Sequence, residues 1–157
     1  MPTTARRLPA YAVIAATIAI PFEGLYTHAY HDKLAHGLPT VCYGMTSFDR
    51  PVKMGDVYTP EQCKVFLEED LVKYHDQLFP CVKTKLSDHE WGALTDAAYN
   101  VGSHAICKST AVRRFNAGDY AGGCQALARF NIADGHVVKG LVRRRSAEID
   151  ACTTKDG

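Results

Sequence analysis

Apolar residues cluster first at the start of the chain. Behind a short basic opening at Arg6 and Arg7, the stretch from Leu8 to Phe22 (LPAYAVIAATIAIPF) carries no charge. It is too short and too rich in alanine for an ordinary membrane span of ~20 residues, but it suits a signal-type apolar region or a core helix. Pro9 fits a first helical turn, whereas Pro21 lacks a backbone donor and is expected to end or kink the helix just before Glu23. Three readings stay open: an export signal cut near Ala15-Ala16, a weak membrane segment able to leave the bilayer, and the first core helix of a soluble domain. A segment with two uses, membrane targeting first and helical packing later, is favoured beside the plain core helix.

From Leu25 to Phe48 the pattern changes to Tyr, Thr, Val and His punctuated by Gly37, Pro39 and Gly44, which predicts short strands and tight turns. Thr59-Pro60-Glu61-Gln62 then supplies an N-cap, a proline at the first helical position and a capping-box partner. Val65, Phe66, Leu71, Tyr74 and Leu78 continue as a helical stripe to about Phe79. Ser87-Asp88-His89-Glu90 is a second capping box. It opens a central buried helix with Trp91, Leu94, Ala97, Ala98 and Val101 inward, closed by Gly102. Shorter helices are expected from Ser109 to Asn116, from Asp119 to Phe130 and from Val138 to Cys152. The predicted architecture is α+β: a small β-rich lobe before a mostly helical lobe, with the helix from Thr59 as connector.

A length of 157 residues is about one domain. With 46% hydrophobic and 22% charged residues, 12 Gly and 7 Pro, the composition is globular and excludes disordered, collagen-like and coiled-coil classes. Net charge is only +1 and no Lys/Arg run could track phosphates, so nucleic acid is not an expected partner. Six scattered cysteines, Cys42, Cys63, Cys81, Cys107, Cys124 and Cys152, lack Cys-x-x-Cys or finger spacing and fit disulfides better than zinc. Three bridges allow fifteen connectivities, among which sequence alone does not choose. Nearest-neighbour pairing, Cys42 with Cys63, Cys81 with Cys107 and Cys124 with Cys152, is the working expectation, because each bridge would join adjacent elements. Bridges would place the protein in an oxidising compartment such as the periplasm; buried free thiols in a cytosolic chain are the alternative.

Two carboxyls stand out. Glu23, at the rim of the apolar run, is placed to be partly desolvated and held as an acid, while Asp32, among polar groups at a turn, can remain ionised. Carboxyls in contrasting environments across a cleft are the minimal equipment for glycoside hydrolysis. That spacing alone is common, and the surrounding string gives it weight.

Glu23-Gly24, Tyr30, Asp32, Gly37 and Thr40 to Thr46 (TVCYGMT) resemble the catalytic lobe of phage-type lysozymes, glycoside hydrolase family 24. The family pattern is a Glu, eight residues, an Asp, five residues and a Thr. Here seven residues separate Asp32 from Thr40, read as a two-residue insertion in Leu34 to Gly37. The resemblance continues through TPEQC (59–63), ALTDAAYNVGS (93–103), KSTAVRRFNAGDYAGGC (108–124) and GLVRRRSAEID (140–150), and is strongest to the lambdoid-prophage endolysin branch. Some members of that branch begin with a signal-arrest-release segment, which tethers inactive enzyme to the inner membrane before release into the periplasm. The resemblance therefore implies an apolar N-terminal segment over 1–22, a lysozyme catalytic domain over 23–157 and a lysozyme-like fold. It also implies an inverting muramidase that cuts peptidoglycan between N-acetylmuramic acid and N-acetylglucosamine and so lyses the host. Glu23 would be the general acid, Asp32 the general base and Thr40 a holder of the attacking water. Gly44, Tyr99, Ser109 and Thr110 would line the saccharide cleft. A monomer needing no cofactor or metal is expected, with transient inner-membrane association. Met45 departs from the branch, where histidine is common, so a structural ion pair is expected to be missing there.

Two competing readings use other residues. His28, His31, Asp32 and His36 could be taken for a zinc site, but they lack the i, i+4 spacing of a helical metal motif. Arg143, Arg144 and Arg145 could bind anionic wall polymer or lipid headgroups in a non-enzymatic protein. On a helix they fan over most of a turn, so at least one should face inward to a carboxylate such as Glu148.

Overall fold

The computed structural model describes residues 7–33 and 36–155. Helix α1 (Ala10–Glu23) is followed by strands β1 (Tyr26–Asp32) and β2 (Leu38–Cys42), then α2 (Pro60–Leu78) and α3 (Asp88–Val101). The short helices α4 (Ser103–Cys107), α5 (Thr110–Asn116) and α6 (Tyr120–Ala126) lead to β3 (Ile132–Ala133), β4 (His136–Val137) and the final helix α7 (Lys139–Cys152). The architecture is α+β, with the sheet confined to two antiparallel hairpins among the described residues.

The capping boxes form as their sequences dictate. Thr59 accepts from Gln62 N while Gln62 accepts from Thr59 N, and Ser87 and Glu90 make the same exchange at the start of α3. Helix α2 threads three apolar clusters. Cys63 packs with Val41, Cys42, Met45 and Val52 under the hairpin, Leu67 and Leu71 pack with Ala15 and Ala19 of α1, and Leu78 enters the main core with Leu94, Ile106 and Phe115. It therefore joins the lobes. Every residue of α3 from Gly92 to Ala98 is buried, because α1, α2 and α7 surround it. Gly92 is required by the α1 contact: a Cβ there would overlap the Ile14 side chain.

Several elements differ from expectation. Helix α1 runs through Pro21 and ends at Glu23, one residue beyond the expected stop, where it closes with Gly24 N donating to Ile20 O. Pro21 lies in the last turn, where only its own missing donor is lost and the packing of Ala15, Ile18 and Ala19 holds the helix. Val65, assigned to the inner stripe of α2, is 49% exposed, and Leu67 takes the buried position. Trp91 and Val101 sit at the edge of the core rather than within it. The helix expected to run to Phe130 ends at Ala126 and tightens to a 3₁₀ turn over Leu127–Arg129. The β3–β4 hairpin turns at Asp134-Gly135, both with positive φ, a two-residue turn signal present in the sequence.

Three disulfides are present, joining Cys42 to Cys63, Cys81 to Cys107 and Cys124 to Cys152. They tie β2 to α2, the 3₁₀ turn after α2 (Phe79–Cys81) to α4, and α6 to α7. No described cysteine is free.

Candidate active site

Glu23 is the last residue of α1, so the packing that fixes the helix on α3 also fixes the start of its side chain. Its carboxyl is 19% exposed, and Oε1 accepts a 2.5 Å hydrogen bond from Arg144 Nη1. On the other side lies Gly44, whose φ of 72° and lack of a side chain let the β2 turn approach: a Cβ there would overlap Glu23 Oε2. Burial raises the pKa of Glu23 above the usual glutamate range; Arg144 opposes this, and the charges of Asp96 and Asp32 add to the rise. The C-terminal end of a helix also disfavours a negative charge.

Asp32 ends β1, opposite Leu38, and Tyr30 pairs with Thr40. With two-residue alternation, Tyr30, Asp32, Leu38 and Thr40 share one face of the hairpin. Burial, and then the charge of Asp32, push the Tyr30 hydroxyl up to about 12, with Tyr26 and Glu23 adding to it. The two carboxyls thus act on common neighbours. The segment between Asp32 and Leu38, where the resemblance implies an insertion, is closed by Gly37 N donating to Asp32 O at 2.7 Å and by His31 Nδ1 with Gly37 O at 2.7 Å. Leu34 and Ala35 of that segment lie outside the described residues.

The remaining sequence candidates serve this arrangement in different ways. Thr40 is buried and its hydroxyl donates to Leu38 O at 3.0 Å, which leaves its lone pairs, not its proton, for any water. Tyr99 does not offer its hydroxyl to a cleft: it donates to Tyr43 O at 2.5 Å and anchors the Tyr43-Gly44 turn beside Glu23. Its pKa lies well above the ordinary tyrosine value, through burial first and then the Glu23 charge. Ser109 is a helix cap, accepting from Val112 N at 3.2 Å and donating to Ile106 O at 2.6 Å, so its polar capacity is spent inside the fold. Thr110 Oγ1 accepts from Arg113 at 2.8 Å and from Arg129 at 3.1 Å.

Sequence reasoning expected at least one of Arg143 to Arg145 to face inward to a carboxylate such as Glu148, as Arg145 does, but missed Asp96 and the place of Arg144 beside Glu23. Asp96, fully buried on α3, accepts from Arg144 Nε at 3.0 Å and from Nη2 at 2.8 Å, a two-point grip. Arg145, equally buried, faces Glu148 through contacts of 2.8 and 2.9 Å and donates to Asn100 Oδ1 at 2.8 Å. A lone aspartate among the inward residues of ALTDAAYNV and a run of three arginines downstream were the available signals. Met45 is buried and apolar, yet this region does hold an ion pair: Arg50 binds the buried Asp70, which burial and Asp49 raise to about 6. The hairpin histidines are engaged separately, His28 with Thr27 and His31 with Gly37. Among the described residues, no three His, Cys, Asp or Glu side chains gather in a way that could hold a metal ion.

The chain is similar in sequence and in fold to known proteins. The SAR-endolysin of Pseudomonas phage phiKMV is 43% identical over 148 residues, covering 90% of this chain and 88% of the relative. The solved endolysin from Escherichia coli O157:H7 phage FAHEc1 is 32% identical with a TM-score of 0.78, covering 95% of this chain and 94% of that one. The muramidase domain of SpmX from Asticaccaulis excentricus superposes with a TM-score of 0.79 at 26% identity, over 95% and 100% of the two chains. The phage lysozyme family model matches residues 21–148, from the end of α1 through Glu148, and the chain belongs to that family.

Proposed function

We propose that Glu23 protonates the glycosidic oxygen of a peptidoglycan strand while Asp32 draws a proton from water attacking the opposite face of the sugar, giving cleavage with inversion. The chain is a glycoside hydrolase of the lysozyme type, a muramidase endolysin. The observation that carries the assignment of roles is the contrast between the carboxyls. Glu23 is partly buried at a helix end and raised in pKa, as a proton donor must be near neutral pH. Asp32 lies half-exposed on the hairpin face it shares with Tyr30 and Thr40. Thr40 contributes a lone pair to the water, and Gly44 keeps the turn close to Glu23 without displacing it. Thr110, held by two arginines, and the Tyr99-anchored turn shape the walls of the cleft.

Disulfides fit action in the periplasm, where thiols oxidise. Among the described residues no helix is long and apolar enough to cross a membrane. Ala15 is fully buried against α2, so cutting beside it would remove half of the helix that ends in Glu23. We therefore favour retention of the apolar segment. Any stay at the inner membrane would keep Glu23 out of place until α1 docked on α3.

Incubation with purified peptidoglycan tests the reaction. New reducing ends carrying N-acetylmuramic acid are expected from the native chain, and Asp32→Asn should lose them by about 10²-fold or more. New ends carrying N-acetylglucosamine, or none, would contradict it.

A further inference from the structure

Arg144 is a single guanidinium shared by two carboxyls, and the sharing is unequal. Asp96 occupies Nε and Nη2 with both of its oxygens, at 3.0 and 2.8 Å, while Glu23 receives one bond from Nη1. Asp96 is fully buried on α3 and Arg144 is 4% exposed on α7, so water does not loosen the fork. We propose that Asp96 is a positioning residue for the hydrolysis: by gripping Arg144 at two points it aims Nη1 at Glu23 while cancelling the guanidinium charge, so that Glu23 is oriented without being held ionised.

The physical reasoning rests on competition for one positive charge. An arginine beside a lone carboxylate favours the ionised form, which suits a structural pair but disables a proton donor. A second carboxylate that grips the same cation at two points removes that bias. Around Glu23 the charged and titratable groups are Arg144 on α7, Asp96 and Tyr99 on α3, and Asp32 and Tyr30 on β1. Behind Asp96 stand Glu148 and Arg145 on α7. Replacing Asp96 by asparagine deletes one negative charge from this set and leaves Arg144 uncompensated beside Glu23. Glu23 should then lose its proton at lower pH, and the alkaline limb of the pH–rate profile should move the same way.

This inference rests on Glu23 being the acid, and the test separates the two. Carbon-13 NMR of labelled carboxyls reads the titration of Glu23 without any turnover. In Asp96→Asn the Glu23 midpoint is expected to fall by about one pH unit, with a rate about tenfold lower on the alkaline side of the wall-hydrolysis profile. A Glu23 midpoint that does not fall overturns the role of Asp96, whatever the activity does. A merely structural Asp96 would lower activity at every pH and leave the limb in place. Should the variant fail to fold, the native chain still decides: the Glu23 midpoint is expected above the ordinary glutamate range, and a midpoint at or below that range would overturn the proposal. Absence of hydrolysis by the native chain would instead refute Glu23 as the acid.

Discussion

Glu23→Gln is expected to lower clearing of purified cell wall by about 10³-fold or more, with the chain still folded. The amide keeps the size of the side chain and an oxygen able to accept from Arg144 Nη1, but has no proton of suitable acidity to give. Stability should not suffer. Burial raises the Glu23 pKa, so in the native protein an ionisable group is held against its preference as pH rises from the ordinary glutamate range towards its own raised value. In that window the unfolded chain has lost a proton that the folded chain keeps, and stability falls with pH. Glutamine removes that slope. Turbidity clearing and thermal unfolding, measured together, check both statements. Unchanged clearing would favour a wall-binding or membrane-active protein on the same fold, for which the acid is irrelevant.

The largest effect on stability is expected at the far side of the same network. Glu148 is fully buried and Arg145 1% exposed, with contacts of 2.8 and 2.9 Å between them. Burial raises the Glu148 carboxyl well above its usual range, the adjacent Asp96 raises it further, and Arg145 pulls it back. Burial likewise lowers Arg145. Glu148→Leu would strand the Arg145 guanidinium with only Asn100 and the Phe130 carbonyl as described partners. Loss of one member of a buried pair costs about 3–5 kcal/mol. Replacing both, as Arg145→Met with Glu148→Leu, should recover most of that, because neither charge then needs burial. Urea unfolding of the two single variants and the double variant closes the cycle; a double variant no more stable than either single would contradict the ion-pair account.

How far the sequence shows this site depends on the reach of each interaction. Caps act over three residues, so Thr59 with Gln62 and Ser87 with Glu90 are readable from the string itself. Glu23 and Asp32 lie nine apart on consecutive elements, so the pair itself is readable locally, whereas the groups around Glu23 are not. Asp96 meets Arg144 across 48 residues, and Glu23 meets it across 121. No periodicity encodes such a meeting, only the oddity of a carboxylate on the inner face of an alanine-rich helix. Ser109 shows the opposite failure. Its hydroxyl is as polar as any cleft residue, but its position before α5 commits it to capping Val112 N. Val65 and Leu67 both continue an apolar stripe on α2, and tertiary packing against α1 and the hairpin decides which of them is buried.

An acid and a base working on opposite faces of one sugar, with water as the attacking group, leave a stereochemical signature that no binding protein can produce. Purified glycan strands digested in an NMR tube report the first-formed anomer at the new N-acetylmuramic acid end, before mutarotation blurs it. Direct displacement by water from Asp32, with Glu23 as donor, predicts the α-anomer from the β-linked strand. A β-anomer would mean two successive displacements, through a side chain or the sugar's own N-acetyl group, and would contradict direct attack by a water that Asp32 activates.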